Sequence, residues 1–400
     1  MRTLTHLGIP LFGLALATTL TVVSCGSDDS SSTPGTGSSS GTGATAGSGG
    51  NGGSGTGASA GSGASAGSGA AAGSGGSGGS GATGGAPGGG GSGNVAGATD
   101  QNLKVALFGD QGAGSNPRAV YKVALDEGAD FIVALGDFDY KDDPNLWETD
   151  MTAVLGTEYP LFGVVGNHDT VAWSGYQKVL TTRMGKAAGA QCSGDVGNKQ
   201  TCLYRGLRMV ISGIGTLGSK TDHEQFIEQS LKADTSSLWK LCIWHQNQND
   251  MQLGTKNDAI GWKAFQLCQD NGAIVAMGHE HSYGRTKTLT DLGNEAAGHG
   301  AKGQPGAMEV AVGSTFSFYN GLGGSSIRAY DSNLHDDDTW WATMYTNNKW
   351  VKNGVAQTGF TAKYGVLFLE FYVDGDPSKA RGYFKNTAGE TIDEFTIVRN

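Results

Sequence analysis

No Cys-x-x-Cys pair occurs among the 5 cysteines, which argues against a zinc–thiolate site built on that spacing. Basic residues are in deficit: Lys and Arg total 27 against 37 Asp and Glu, a formal net charge of −10. Tracking a nucleic-acid backbone needs clustered Lys and Arg, so no nucleic-acid partner is expected. Small phosphorylated substrates remain open, because bound metal ions supply positive field locally and whole-chain charge speaks to solubility. Between Gly26 and Thr99 there is no aromatic residue, and Asp28 and Asp29 are the only charges. Nothing there can build a core. Gly, Ser, Ala and Thr dominate this stretch, which reads as a disordered tether, a flexible coil with a root-mean-square span of about 45–50 Å. Its near-repeats, such as 61–69, offer no recurring hydrophobic position for neighbours to bury, which excludes a solenoid. A glycan-bearing stalk is the alternative.

The chain also lacks an apolar run of the roughly 20 residues that a membrane-spanning helix needs. The stretch from Leu7 to Val23 is shorter and is interrupted by Pro10 and Gly13; with Arg2 before it and small residues after it, it reads as an export signal. Val22-Val23-Ser24-Cys25 resembles a bacterial lipobox, which implies that Cys25 becomes a lipidated mature N-terminus. Each buried methylene of such an anchor adds about 0.8 kcal/mol of membrane affinity. The expected organisation is a signal peptide over 1–25, a linker over 26–99 and a folded domain over 100–400. The location this implies is the cell envelope of a bacterium, at the outer membrane or cell surface. Export exposes the remaining four cysteines to an oxidising compartment. Cys192 and Cys202 flank a short polar loop and are disulfide candidates. Cys242 and Cys268 fall in a predicted strand and a predicted helix, and either pair or stay buried thiols.

Within 100–400, β-type runs alternate with helical ones, which predicts an α/β architecture. Strands are expected over Leu103 to Phe108, Phe131 to Leu135, Leu161 to Val165, Leu238 to Trp244 and Ala273 to Met277. A helix follows the first, capped by Asn116 with Pro117 at its first position and stopped by Gly128. After Arg285 the pattern becomes irregular and Gly-rich. Val366 to Val373, Ala380 to Phe384 and Glu394 to Val398 then read as antiparallel strands closing a sheet.

Polar residues stand after each of the five early strands: Gly109-Asp110, Gly136-Asp137, Gly166-Asn167-His168, His245, and Gly278-His279-Glu280-His281. Ligands bind outside the carboxyl ends of strands in open α/β sheets, so these residues are candidates for one shared site. Single carboxylates, a carboxamide and imidazoles after glycine turns suit a two-metal hydrolase. In such a site two cations share a bridging carboxylate, hold a hydroxide nucleophile and neutralise phosphate oxygens. Asp137 suits the bridge.

These motifs in this order, with Gly112 two residues after Asp110 and Tyr140 three after Asp137, resemble the calcineurin-like phosphoesterases and, among them, the purple acid phosphatases. The resemblance runs from about Val105 to Arg285. It implies a four-layer α/β/β/α sandwich of mixed sheets and hydrolysis of phosphate esters, monoesters foremost, by a metal-bound hydroxide. Residue by residue it implies an Fe(III) site of Asp110, Tyr140 and His281. A divalent site (Fe, Zn or Mn) then takes Asn167, His245 and His279, with Asp137 bridging and catalytic. Most of the wider family has a histidine where this chain has Gly112; a tyrosinate from Tyr140 would take that place, a hard oxygen donor that suits ferric iron. His168 would face the phosphate or the leaving oxygen, with Asp169 orienting it.

The chain departs from the resemblance after His245. There Gln246, Asn247, Gln248, Asn249, Asp250, Met251 and Gln252 stand where relatives carry histidines, and an amide has no titrating proton to give. A phosphodiesterase, or a catalytically weak surface binding protein on the same fold, are the alternatives. His223, His299 and His335 read as solvated surface residues. Trp340, Trp341 and Trp350 could wall the cleft, although buried packing is the commoner fate.

Overall fold

A computed structural model describes residues 101–400. The expected export signal, Cys25 and tether therefore lie outside the described residues. Strands β1 (Leu103–Phe108), β2 (Phe131–Ala134) and β3 (Leu161–Gly163) pair in parallel within a first sheet. The chain then builds a second sheet with β4 (Gln191–Asp195), β5 (Lys199–Tyr204), β6 (Leu207–Ser212), β7 (Trp239–Ile243), β8 (Ile274–Met277) and β9 (Tyr283–Thr286). Here β6, β7 and β8 run parallel. β10 (Ala307–Val310) returns to the first sheet, while β11 (Ser317–Asn320), β12 (Trp341–Tyr345), β13 (Trp350–Lys352) and β14 (Val355–Ala356) extend the second. β15 (Gly365–Phe371), β16 (Lys379–Asn386) and β17 (Thr391–Arg399) close the first sheet as an antiparallel run beside β1. Both sheets are mixed.

Alternation along the strands explains the layers. Val105 and Leu107 of β1 face the same inter-sheet core as Met209 and Ile211 of β6 and Leu241 and Ile243 of β7. Ala106 and Phe108 point the other way. There they meet Val120, Tyr121 and Ala124 of α1 (Ser115–Asp126), Trp147 and Met151 of α2 (Pro144–Leu155), and Tyr176 and Leu180 of α3 (Trp173–Met184). On the far side, Val210, Cys242 and Val275 pack under Ile227 and Leu231 of α4 (Lys220–Ala233) and Phe265 of α5 (Lys263–Asp270). The result is helices, sheet, sheet, helices, with central strands such as β2, β7 and β8 buried on both faces and hence almost continuously apolar.

Disulfides join Cys192 to Cys202 across β4 and β5, and Cys242 of β7 to Cys268 of α5. Arg285 on β9 and Asp393 on β17 form a wholly buried ion pair between the sheets, at 2.6 Å. The guanidinium also donates to Asn353 Oδ1 and the Pro305 carbonyl and lies over the Phe395 ring, so its donors are well matched.

Strand ends lie within three residues of expectation, and the start of the first helix also differs. Helix α1 starts at Ser115 with Gly114 as its cap, two residues earlier than Asn116 would set. Tertiary partners decide it: Asp150 Oδ2 accepts the Gly114 N–H at 2.6 Å, and the Asn116 amide donates to the Gly324 carbonyl. Among the described residues no helix is long and apolar enough to cross a membrane.

Candidate metal centre

The carboxyl ends of β1, β2, β3, β7 and β8 open onto one place, and the seven candidate ligands form two adjoining clusters there. In the first, the Tyr140 hydroxyl donates to Asp110 Oδ1 at 2.9 Å and lies 2.9 Å from His281 Nε2, which is itself 3.2 Å from Asp110 Oδ1. In the second, His245 Nε2 stands 3.1 Å from Asn167 Oδ1 and 3.2 Å from Asp137 Oδ2. Ligand atoms of Asp137, His245 and His279 all lie within 4.8 Å of one another. Asp137 links the two groups, because its charge also bears on the Tyr140 phenol.

Local backbone serves this convergence. Asp110, Asp137, Tyr140 and His279 all have φ between 52° and 72°, the left-handed region that side chains other than Gly seldom adopt. Each such residue costs about 1–3 kcal/mol, which the surrounding packing must offset, and such strain concentrates at functional sites. Two neighbouring glycines are obligatory. A Cβ on Gly136 would sit 2.6 Å from His245 Nδ1, and one on Gly166 would sit 2.1 Å from Asp137 Oδ1. Asp169 is not directed at His168. Its carboxylate accepts the backbone N–H groups of Asp137, Phe138 and Gly166, so it pins the β2 and β3 loops together. Asp139 similarly accepts from Lys141 N, Asp143 N and the Tyr176 hydroxyl, holding the turn that presents Tyr140.

Electrostatics and tautomers suit cations. His245 donates from Nδ1 to the Leu135 carbonyl at 2.7 Å, which leaves Nε2 facing the cluster. Burial opposes protonation of this ring, but the Asp137 carboxylate overrides it and lifts the pKa to about 9. His279 is held well below the usual imidazole range by burial and by the neighbouring His245, so it stays neutral. Its Nδ1 is buried and has no hydrogen-bond partner among the described residues. An orphaned imidazole nitrogen beside carboxylates is the expected state of a ligand awaiting a cation. Burial, with the carboxylates of Asp110 and Asp137, pushes the Tyr140 phenol well above its ordinary range, so it acts as the donor to Asp110. A cation there would take the place of that proton. The donor set therefore fits two cations: oxygen-rich at the first cluster, with two imidazoles and a carboxamide at the second.

His168 is half-buried and outside both clusters, its ring centred 4.7 Å from that of Tyr140 and its backbone N–H donated to Asp137 Oδ1. Gly112, with φ 73°, leaves room for the segment after β11: a Cβ there would meet Ser325 Cα at 3.4 Å. Two further residues join the site. Gln246 reaches Asn167 Oδ1 through its amide at 3.4 Å, and Ser326 Oγ lies 2.5 Å from His281 Nδ1. Gln246 belongs to the amide-rich stretch after His245, whereas Ser326 sits at no spacing that chemistry would pick out and only the folded chain joins it to the site.

Three histidines are buried rather than solvated. His223 bonds Ser212 Oγ and the Leu217 carbonyl, His335 bonds Asp338 and the Gly254 carbonyl, and His299 bonds the Leu292 carbonyl between Trp262 and Trp340. Each found partners that polar flanking sequence did not foretell. Trp340 and Trp341 are likewise buried, packed in the core beside the second sheet, and Trp350 packs against the inter-sheet core.

The calcineurin-like phosphoesterase family model matches residues 103–283, the stretch that carries all seven candidate donors, and that stretch is of the calcineurin-like phosphoesterase family. Among solved structures it is similar to a purple acid phosphatase from yellow lupin (Lupinus luteus) seeds, at 16% identity and a TM-score of 0.56. That likeness covers 76% of this chain but only 55% of the lupin chain, and at this identity it speaks to the fold. A more distant likeness, with TM-score 0.45 and 14% identity, is to GAP50, the anchor in the inner membrane complex of Plasmodium; it covers 75% of this chain and 89% of that one. No curated protein matches the chain.

Proposed function

We propose that the protein hydrolyses phosphate esters, monoesters foremost, at a pair of cations. Asp110, Tyr140 and His281 would hold one, Asn167, His245 and His279 the other, with Asp137 between them. The observation that carries this is the pair of adjoining donor clusters reached from five separate strand ends, Asp110, Tyr140 and His281 lying 2.9–3.2 Å apart and the ligand atoms of Asp137, His245 and His279 within 4.8 Å of one another. Bound cations would supply an activated water and neutralise phosphate oxygens. The chain's own residues do the rest. Asp137 keeps the cations together, Asp169 fixes the backbone that carries Asp137, and His168, outside both clusters, meets the leaving oxygen as proton donor or charge partner. In this reading Tyr140 favours Fe(III) in the first position, and the second takes a divalent ion, Fe, Zn or Mn.

The neutral amide of Gln246 beside Asn167 favours a second reading, a diesterase, since it binds phosphate oxygens without requiring a particular protonation state. Comparing turnover of an aryl phosphate monoester with that of its methyl diester on the same metal-loaded protein separates the two; a faster diester would reverse the preference. Retention of every donor weighs against a merely binding protein. The same reading places the catalytic domain from residue 100 onward, exported and tied to the membrane through Cys25.

A further inference from the structure

We infer that the segment from Asn320 to Arg328 is a positioning strap for one of the two ion sites, with Ser326 as its decisive contact; this rests on the two-cation reading above. The strap leaves β11 and lies flush on the backbone that carries Asp110. Gly323 N–H donates to the Gly109 carbonyl at 2.9 Å and Ser325 N–H to the Asp110 carbonyl at 3.0 Å. Only glycine permits the approach. A Cβ on Gly321 would be 2.8 Å from Asp110 Oδ2, and one on Gly323 would be 2.2 Å from the Gly109 carbonyl oxygen. At its far end Arg328 N–H donates to the His281 carbonyl at 2.8 Å, and its guanidinium stands 3.6 Å from the buried Glu280 carboxylate between the two histidines. One segment thus braces both Asp110 and His281.

Backbone bracing does not by itself aim an imidazole ring, which can rotate about its bond to Cβ. The ring of His281 is aimed by its Nδ1, 2.5 Å from Ser326 Oγ. With Nδ1–H donated to that hydroxyl, the Nε2 lone pair points at the position bounded by Asp110 Oδ1 and Tyr140. Partners of this kind fix the tautomer of a ligating histidine, and their loss typically weakens metal affinity about 10–100-fold. Through the Ser326 hydroxyl the strap therefore acts on the Asp110–Tyr140–His281 site, whereas its backbone bracing also bears on His279, whose N–H the Asp110 carboxylate accepts at 2.8 Å.

Ser326 is exposed, so alanine there removes the hydroxyl without opening the core. The test uses the full-length chain stripped with a chelator and titrated with Co(II), with bound ions counted by elemental analysis. Wild type should take up two ions. Ser326→Ala should hold one with unchanged affinity and the other about 10–100-fold more weakly, and Ser326→Thr, which keeps the hydroxyl, should restore both. Asn167→Ala should weaken the remaining ion, so that the double variant binds neither tightly. Unchanged affinity for both ions in Ser326→Ala, or equal loss of both, would overturn the strap's role. Fewer than two ions in the wild type would instead overturn the two-cation reading, and the inference with it.

Discussion

The Tyr140 hydroxyl donates to Asp110 Oδ1 at 2.9 Å, across 30 residues of sequence, and lies equally close to His281 Nε2. Gly112, two residues beyond Asp110, supplies no side chain, and the phenol completes the cluster of Asp110 and His281. If a ferric ion takes this position, the phenolate should give a charge-transfer band in the visible. Tyr140→Phe removes the donor and keeps the ring, so that band should vanish from the absorption spectrum while circular dichroism shows the fold intact. A coloured Tyr140→Phe protein with an unshifted band would mean that another residue supplies the phenolate.

Asp137 and His168 should separate in their effects. Asp137→Asn weakens the link between both cations and should abolish turnover. His168→Ala should keep metal content near that of the wild type and lower kcat about 10²–10⁴-fold, the usual worth of a positioned proton donor. Elemental analysis alongside kinetics checks both; loss of both ions from His168→Ala would place that ring among the ligands.

Stability between the sheets should depend on Arg285 and Asp393. Burial alone would raise the Asp393 carboxyl, but Arg285, with Tyr283 and Thr343 also donating to it, holds it below the usual carboxylate range. A carboxyl whose folded pKa is depressed contributes stability above its unfolded pKa, about 3.9, and loses it as pH falls through the folded value. Asp393→Ala leaves a buried guanidinium uncompensated and should cost about 3–5 kcal/mol at pH 7 in urea unfolding. The difference between variant and wild type should narrow in acid below about pH 4; a pH-independent difference would contradict the assignment.

The N-terminal reading makes a separate prediction. A chain starting at Asp100 should fold and keep its activity, and Cys25→Ala in the full chain should release the protein from membranes in fractionation without loss of turnover. Membrane retention of Cys25→Ala would count against lipidation.

Legibility in the sequence followed the reach of each interaction. Strand β1 was readable because burial on both faces leaves Leu103–Phe108 apolar throughout, apart from Lys104. The candidate donors stood out because Asp110, Asp137, Asn167 and His279 each directly follow a glycine, while His245 stands just beyond the apolar strand β7. What could not be read was what long-range partners impose. Asn116 gave up its capping place to bond Gly324, Asp169 turned from His168 to three backbone N–H groups, and His223 and His335 found buried acceptors. Ser326 belongs with these, since nothing in Gly-Gly-Ser-Ser marks it as a partner of His281.

The central claim is that the two donor clusters hold cations that turn over a phosphate ester. Its most direct test follows hydrolysis of an aryl phosphate by the full-length protein while ions are removed by chelation and returned one equivalent at a time. Activity should disappear on stripping and return steeply only with the second equivalent, and Asp137→Asn should stay inactive when fully loaded. Undiminished hydrolysis by the stripped protein, or full activity in loaded Asp137→Asn, would contradict it.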